Sequence, residues 1–155
     1  MTVLTAEVPA TRPRTRRLVP GLYLAAAALV PLVTASIWYT VFGEVWVELS
    51  GIDPAAAAQP GIGEMLGQLA RNVAVMLTMA VLISRLRVRT IGGSLAVAAL
   101  VWFGFEAMAI LGSVLHEGYP LPLYLIHVGD ALQTALVMGL FIGLSRKAAA
   151  TGSLR

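Results

Sequence analysis

Four ionisable side chains interrupt otherwise apolar runs of this chain: Arg71, Glu106, His127 and Asp130. An arginine keeps its charge, whereas carboxylates and imidazole exchange protons near neutral pH. Inside a bilayer each such charge costs a few kcal/mol or more, roughly, unless it pairs or faces water. One arginine against two carboxylates leaves one negative charge. A proton on His127 or on one carboxyl closes that balance, shared among coupled groups rather than owned by one. Gln68 and Asn72 add polar groups beside Arg71, and Gln133 and Thr134 do so beside Asp130 in the stretch "YLIHVGDALQT". Two kinds of chemistry fit the set. It is either a structural polar network that ties helices together, or a proton or ion site that opens to one side of the membrane. A pocket for a lipid, a quinone or another small ligand is a third use of the same groups.

The elements that carry these residues are set by composition. Hydrophobic residues make up 58% of the chain and charged residues 12%, with a mean hydropathy of +0.82. A soluble domain is usually about one quarter charged. Four apolar stretches stand out, at 19–42, 65–86, 91–115 and 121–145, each near the ~20 residues that cross a ~30 Å hydrocarbon layer as helix. The ten-residue alternation of a membrane barrel is not seen. The sequence therefore predicts an all-α, four-transmembrane-helix bundle over 19–146. A disordered basic segment at 1–18 precedes it and a short tail at 147–155 follows. The basic start and apolar run before Ser36 resemble a secretory signal, but the run continues through "IWYTVF", too long for a signal core. The loop segment "EVWVEL" at 44–49 is expected to lie along the interface with Trp46 as its anchor.

Charge distribution orients the bundle. Arg12, Arg14, Arg16 and Arg17 precede the first span, and Arg85, Arg87 and Arg89 separate the second from the third. Arg146, Lys147 and Arg155 follow the fourth. Every Lys and Arg except Arg71 thus falls at one end of a four-span arrangement. The opposite loops carry Glu44, Glu48, Asp53, Glu64 and Glu117 and no basic residue. The positive-inside rule then predicts that both termini are cytoplasmic.

At about 1.5 Å per residue, Arg71 and His127 lie roughly 9 Å from the outer ends of their spans, and Glu106 and Asp130 roughly 14 Å. All four are expected in the outer half of the bilayer. His127, Asp130 and Thr134 are spaced i, i+3, i+7 and share one helix face. Gln68, Arg71, Asn72 and Thr78 are grouped on a face of the second span. Gly92, Ala99, Glu106 and Ser113 form a heptad stripe of small residues, which favours close packing and turns Glu106 into the bundle. Gly139 and Gly143 form a GxxxG pair for packing within the bundle or between copies, and Gly129 leaves room beside the charged face. Pro31 is expected to kink the first span. Trp38, Tyr39 and Trp46, with Tyr119 and Tyr124, fit an outer aromatic belt.

Other chemistry finds little support. The two histidines, His116 and His127, are too few for a zinc site, and no further feature favours haem between them. With no Cys in the chain, disulfides, thiolate metal sites and Cys nucleophiles are excluded. No phosphate loop or nucleophile motif is visible. The expectation is a non-enzymatic protein without cofactor or metal, whose partners are the lipid bilayer and another copy or another membrane protein, not nucleic acid. An accessory or oligomeric role comes first, with a small proton-coupled transporter or channel as the alternative.

Three motifs point to a family. They are "WYTVFGEVW" (Trp38, Tyr39, Phe42, Gly43, Trp46), "WFGF" (Trp102, Gly104, Phe105), and the run from Glu117 and Pro120 through "LYLI" to Gly129. Together they resemble the domain-of-unknown-function family 1761, over roughly residues 22–146. The resemblance implies a small bacterial four-helix protein integral to the membrane and supplies no activity. It also implies differences: family members commonly carry Asn at the position of His127, an aromatic residue near Asp130, and an apolar or small one near Glu106. The ionisable groups would then be a specialisation of this chain.

Overall fold

The computed structural model describes residues 15–53, 55 and 61–151. The expected disordered segment lies outside the described residues for all but its last four positions, and the end of the C-terminal tail lies outside them too. The described chain is built of four long helices, each apolar enough to cross a membrane. They are α1 (Thr15–Ser50), α2 (Ile62–Arg85), α3 (Ile91–Glu117) and α4 (Leu121–Thr151). Among the described residues there is no strand.

Two boundaries differ from the sequence reading. α1 runs for 36 residues, about 54 Å at 1.5 Å per residue, so it extends well past a ~30 Å hydrocarbon layer. "EVWVEL" is the continuation of this helix and does not form a separate segment along the interface. No proline lies between Phe42 and Ser50, and the Trp46 ring packs edge-on against Tyr39 two turns earlier, with ring centres 5.4 Å apart. α1 also stays continuous through Pro20 and Pro31. Proline at position 31 removes the donor for the Ala27 carbonyl. The buried amide of Asn72 on α2 donates to the next carbonyl, that of Ala28, at 3.4 Å. At the other end of the chain, α4 continues to Thr151, past the expected boundary at 145.

The links are short and locally specified. The Gly61 N–H donates to the Glu64 carboxylate at 3.1 Å, which caps α2. Between α2 and α3, Arg87 takes a left-handed conformation (φ 56). The Thr90 hydroxyl then caps α3 by accepting from the Gly93 N–H at 3.0 Å. α3 ends at Gly118, also left-handed (φ 73), and the Tyr119 N–H reaches back to the Ser113 carbonyl.

α4 is the hub of the bundle. It packs most extensively along α1 and then along the first half of α3, while α2 leans mainly on α1. The shared core holds Ala27 and Ala28 of α1, Met76, Met79 and Ile83 of α2, Ala98 of α3, and Ala135, Met138 and Ile142 of α4. At the end that gathers the basic residues, the helices are also hydrogen-bonded together. The Ser145 hydroxyl donates to the Pro20 carbonyl at 2.9 Å, and Arg146 Nε donates to the Val88 carbonyl at 2.8 Å. Gly139 and Gly143 belong to this half. A Cβ at Gly139 would stand 2.8 Å from Ala98 Cβ, and one at Gly143 would stand 3.1 Å from Ile91 Cα. The GxxxG pair therefore seats α3 on α4 within the chain, and the two glycines are buried.

α3 is not uniform. Residues Trp102–Ala107 form a π-helical segment between two α-helical halves. A π turn accommodates one residue more than an α turn, so the face of the first half does not continue at heptad spacing. The close-packed residues of the first half are Ser94 and Ala98, not the expected stripe; Gly92 is exposed. Within the π segment, Ala107 is buried and Phe105 is 73% exposed.

Candidate functional site: a charged cavity at the acidic end of the bundle

α4 supplies one wall of a cavity. His127, Asp130, Ala131 and Thr134 follow one another at helical spacing and all line it. Arg71, Asn72 and Val75 come from α2, and Glu106, Ala109, Ile110 and Ser113 from α3. Tyr39 of α1 and Tyr119 of the last link complete the lining. The cavity measures about 610 Å³ and is open on one side. All four ionisable groups singled out from the sequence therefore border one space.

The opening follows from the packing. α2 touches α3 only lightly at its first half, and the contact is sparser still beyond the π segment. The seam between α2 and the acidic half of α3 is thus the loose edge of the bundle. Arg71 on that edge is exposed, Glu106 and His127 are half-buried, and Asp130 is only 7% exposed. Arg71, Glu106 and Asp130 border the same space from three helices.

Neutral groups make most of the hydrogen bonds that fasten the helices here. Trp38 Nε1 donates to the Ile126 carbonyl at 3.1 Å, and Trp102 Nε1 donates to the Val128 carbonyl at 2.9 Å. The Tyr39 hydroxyl and His127 Nδ1 share a hydrogen bond of 3.0 Å. Gln133 Nε2 donates to the Asp130 carboxylate at 2.9 Å and to the Thr34 carbonyl at 3.2 Å. Tyr124 donates its hydroxyl proton to the Ala107 carbonyl at 3.4 Å. Among the described residues, the side chains of Arg71 and Glu106 make no hydrogen bond, and only one Asp130 oxygen accepts one.

Several sequence expectations are redrawn by this geometry. Trp38 and Tyr39 are bonded to α4 and half-buried, so they do not stand only as interfacial anchors; a residue type common at interfaces also reaches inward when a carbonyl or imidazole is in range. Trp46 is drawn into the same aromatic contact. Gly129 makes room for the Trp38 ring, which a Cβ would meet at 2.6 Å, rather than for a neighbouring backbone. Gln68 does not line the cavity, although Asn72, one turn further along α2, does. Thr78 is exposed and bonds back to its own helix at Ala74. His116 is exposed at the end of α3, outside the cavity lining. Among the described residues, no group of three or more His, Asp or Glu stands together as a metal would require.

Gln133, singled out beside Asp130 in the sequence, sits i+3 from it, a spacing that permits the amide–carboxylate bond found on this helix. Tyr39 and Tyr119, read from the sequence as belt residues, also line the cavity; no sequence signal marks this, because each comes from an element whose angle to α4 only the fold supplies.

No match to this chain was found among curated proteins or among solved structures. A family model does match it, over residues 22–143, a range that includes every residue lining the cavity. The chain thus belongs to the family of proteins of unknown function, DUF1761.

Proposed function

We propose that this protein is a non-enzymatic, multi-pass protein of the bacterial inner membrane with both termini cytoplasmic. Its cavity is a proton or small-cation site in the outer half of the bilayer, serving a small transporter or channel. The observation that carries this reading is that Arg71 and Glu106 border the cavity without a hydrogen bond to any described residue. A purely structural knot of charges saturates its own donors and acceptors, because partly satisfied buried charges destabilise. Here neutral side chains fasten the helices and the charges face space. One Arg against two carboxylates leaves the site one positive charge short, which a proton or a cation supplies.

A second reading is an accessory or oligomeric membrane protein. It is favoured by the loose seam between α2 and α3, which a helix of another copy or of a partner protein would close. The two readings are compatible, since four spans leave little room for alternating access within one chain. The test is reconstitution of the full chain into liposomes under an imposed pH gradient. Wild-type protein is expected to move protons, and Asp130→Asn and Glu106→Gln to abolish the flux while folding normally. A wild type without flux, together with large stability losses in both variants, leaves only the accessory reading.

A further inference from the structure

Asp130 is the most informative group in the cavity. As a residue it is more than nine-tenths buried, and it lines the space. One oxygen is held by Gln133, and among the described residues the other accepts no hydrogen bond. A buried carboxylate oxygen without a donor is costly unless a ligand supplies one. Glu106 and the Ser113 hydroxyl border the same space from α3, so acceptors face it from two helices.

We propose that the cavity holds a primary ammonium group, which donates to Asp130 and Glu106. This inference rests on the reading of the cavity as a ligand site and names the class of ligand. The charges close with such an occupant: Arg71 and one ammonium stand against two carboxylates. A primary ammonium brings three donors and no acceptor, which suits a wall of carboxylates and a hydroxyl. A quaternary ammonium brings no donor and is held by aromatic faces; the lining offers the rings of Tyr39, Tyr119 and His127 only, and Tyr39 is packed against Trp46 and His127. A bare metal ion fits poorly, because no cluster of three or more His, Asp or Glu is assembled among the described residues. The volume of about 610 Å³ lies within the usual range for small-molecule sites. Arg71, at the same cavity, repels the ammonium and so limits how tightly the two carboxylates hold it.

The amine has two sources, a free solute or an aminophospholipid headgroup entering through the seam. The test uses the full chain in nanodiscs. In discs free of aminophospholipid, ethanolamine is titrated with choline as the equally charged control, and binding is read by calorimetry and by thermal stabilisation. A parallel set of discs contains phosphatidylethanolamine and no soluble amine, with retained lipid read by native mass spectrometry. Ethanolamine should bind and choline should not. Retention of phosphatidylethanolamine without binding of ethanolamine assigns the lipid as the source. Asp130→Asn should weaken the amine by about ten- to a hundredfold, the loss of one charged hydrogen bond. Arg71→Gln should tighten ethanolamine, a sign that a merely structural arginine would not produce, and should loosen phosphatidylethanolamine, whose phosphate the arginine would attract. Equal binding of choline, unchanged amine affinity in Asp130→Asn, or weaker binding of ethanolamine in Arg71→Gln overturns the proposal. If neither amine source binds but Asp130→Asn still abolishes proton flux, the amine inference falls and the proton site stands; if flux is absent too, both fall.

Discussion

The two halves of the bundle are built to opposite rules. Toward the basic end, α3 and α4 approach until Gly139 and Gly143 leave no room for a methyl group against Ala98, Ser94 and Ile91. Toward the acidic end α2 makes few contacts with α3 beside a charged space, and Gly112 on α3 has no atom within 4 Å of where a Cβ would stand, although Gly129 on α4 is filled by the Trp38 ring. The first half is held by close contact of α3 with α4 and two hydrogen bonds at its end, the second chiefly by directed hydrogen bonds. The difference teaches that stability and function need not draw on the same residues: close packing concentrates stability in one half, which frees the other to keep polar groups partly unsatisfied.

Substitutions that add one methyl group give the largest contrast. Gly139→Ala should destabilise by about 1–3 kcal/mol, because the neighbours it meets are a Cβ and a backbone oxygen that do not swing aside. Gly112→Ala should stabilise by about 0.5–1 kcal/mol, by lowering the entropy of the unfolded chain with no clash to offset it. Thermal unfolding in detergent reads both, and equal effects of the same sign would erase the distinction between the halves. Next in size is Gln133→Leu. It removes the bond to Asp130 and the bond to Thr34 together, for a loss of about 1–2 kcal/mol. Tyr39→Phe removes a single bond to His127 and should cost about 0.6–1 kcal/mol on the same assay. The smallest change in stability belongs to Arg71→Gln, within about 0.5 kcal/mol, because this side chain is exposed and holds no described partner. A loss of several kcal/mol there would show that Arg71 ties the helices after all.

The contrast between halves also marks how much the sequence could reveal. Four spans were legible because each is a long apolar run and the basic residues alternate with them in order. That His127, Asp130 and Thr134 line one wall was legible for a similar reason: α4 is regular, so spacing translates into direction. α3 is where the translation breaks. The stripe from Gly92 to Ser113 assumes one helical period throughout, and the π segment at Trp102–Ala107 changes it midway. Glu106 nonetheless faces inward as the stripe suggested, though its first-half companions do not. The inward bonds of Trp38 and Tyr39 are not legible in the sequence, because their partners lie 88 residues away in the chain and the residue types alone point to the interface. The length of α1 was missed because charged residues inside "GEVWVEL" suggest an end to a membrane span without ending a helix.

The π segment has a consequence for chain length. α3 contains one residue more than an α-helix with the same two flanking faces would need. Removing Gly104, which has nothing within 4 Å of where its Cβ would stand, would let the segment close as a regular α turn. Trp102 would keep its bond to Val128, and Glu106 would stay over the cavity. Removing Val97 from the regular half instead would swing the residues on one side of the deletion by about 100°, and either the seat on Gly139 or the carboxylate would leave its place. The spare residue makes this span tolerant of a deletion at one position and intolerant of it a few residues away.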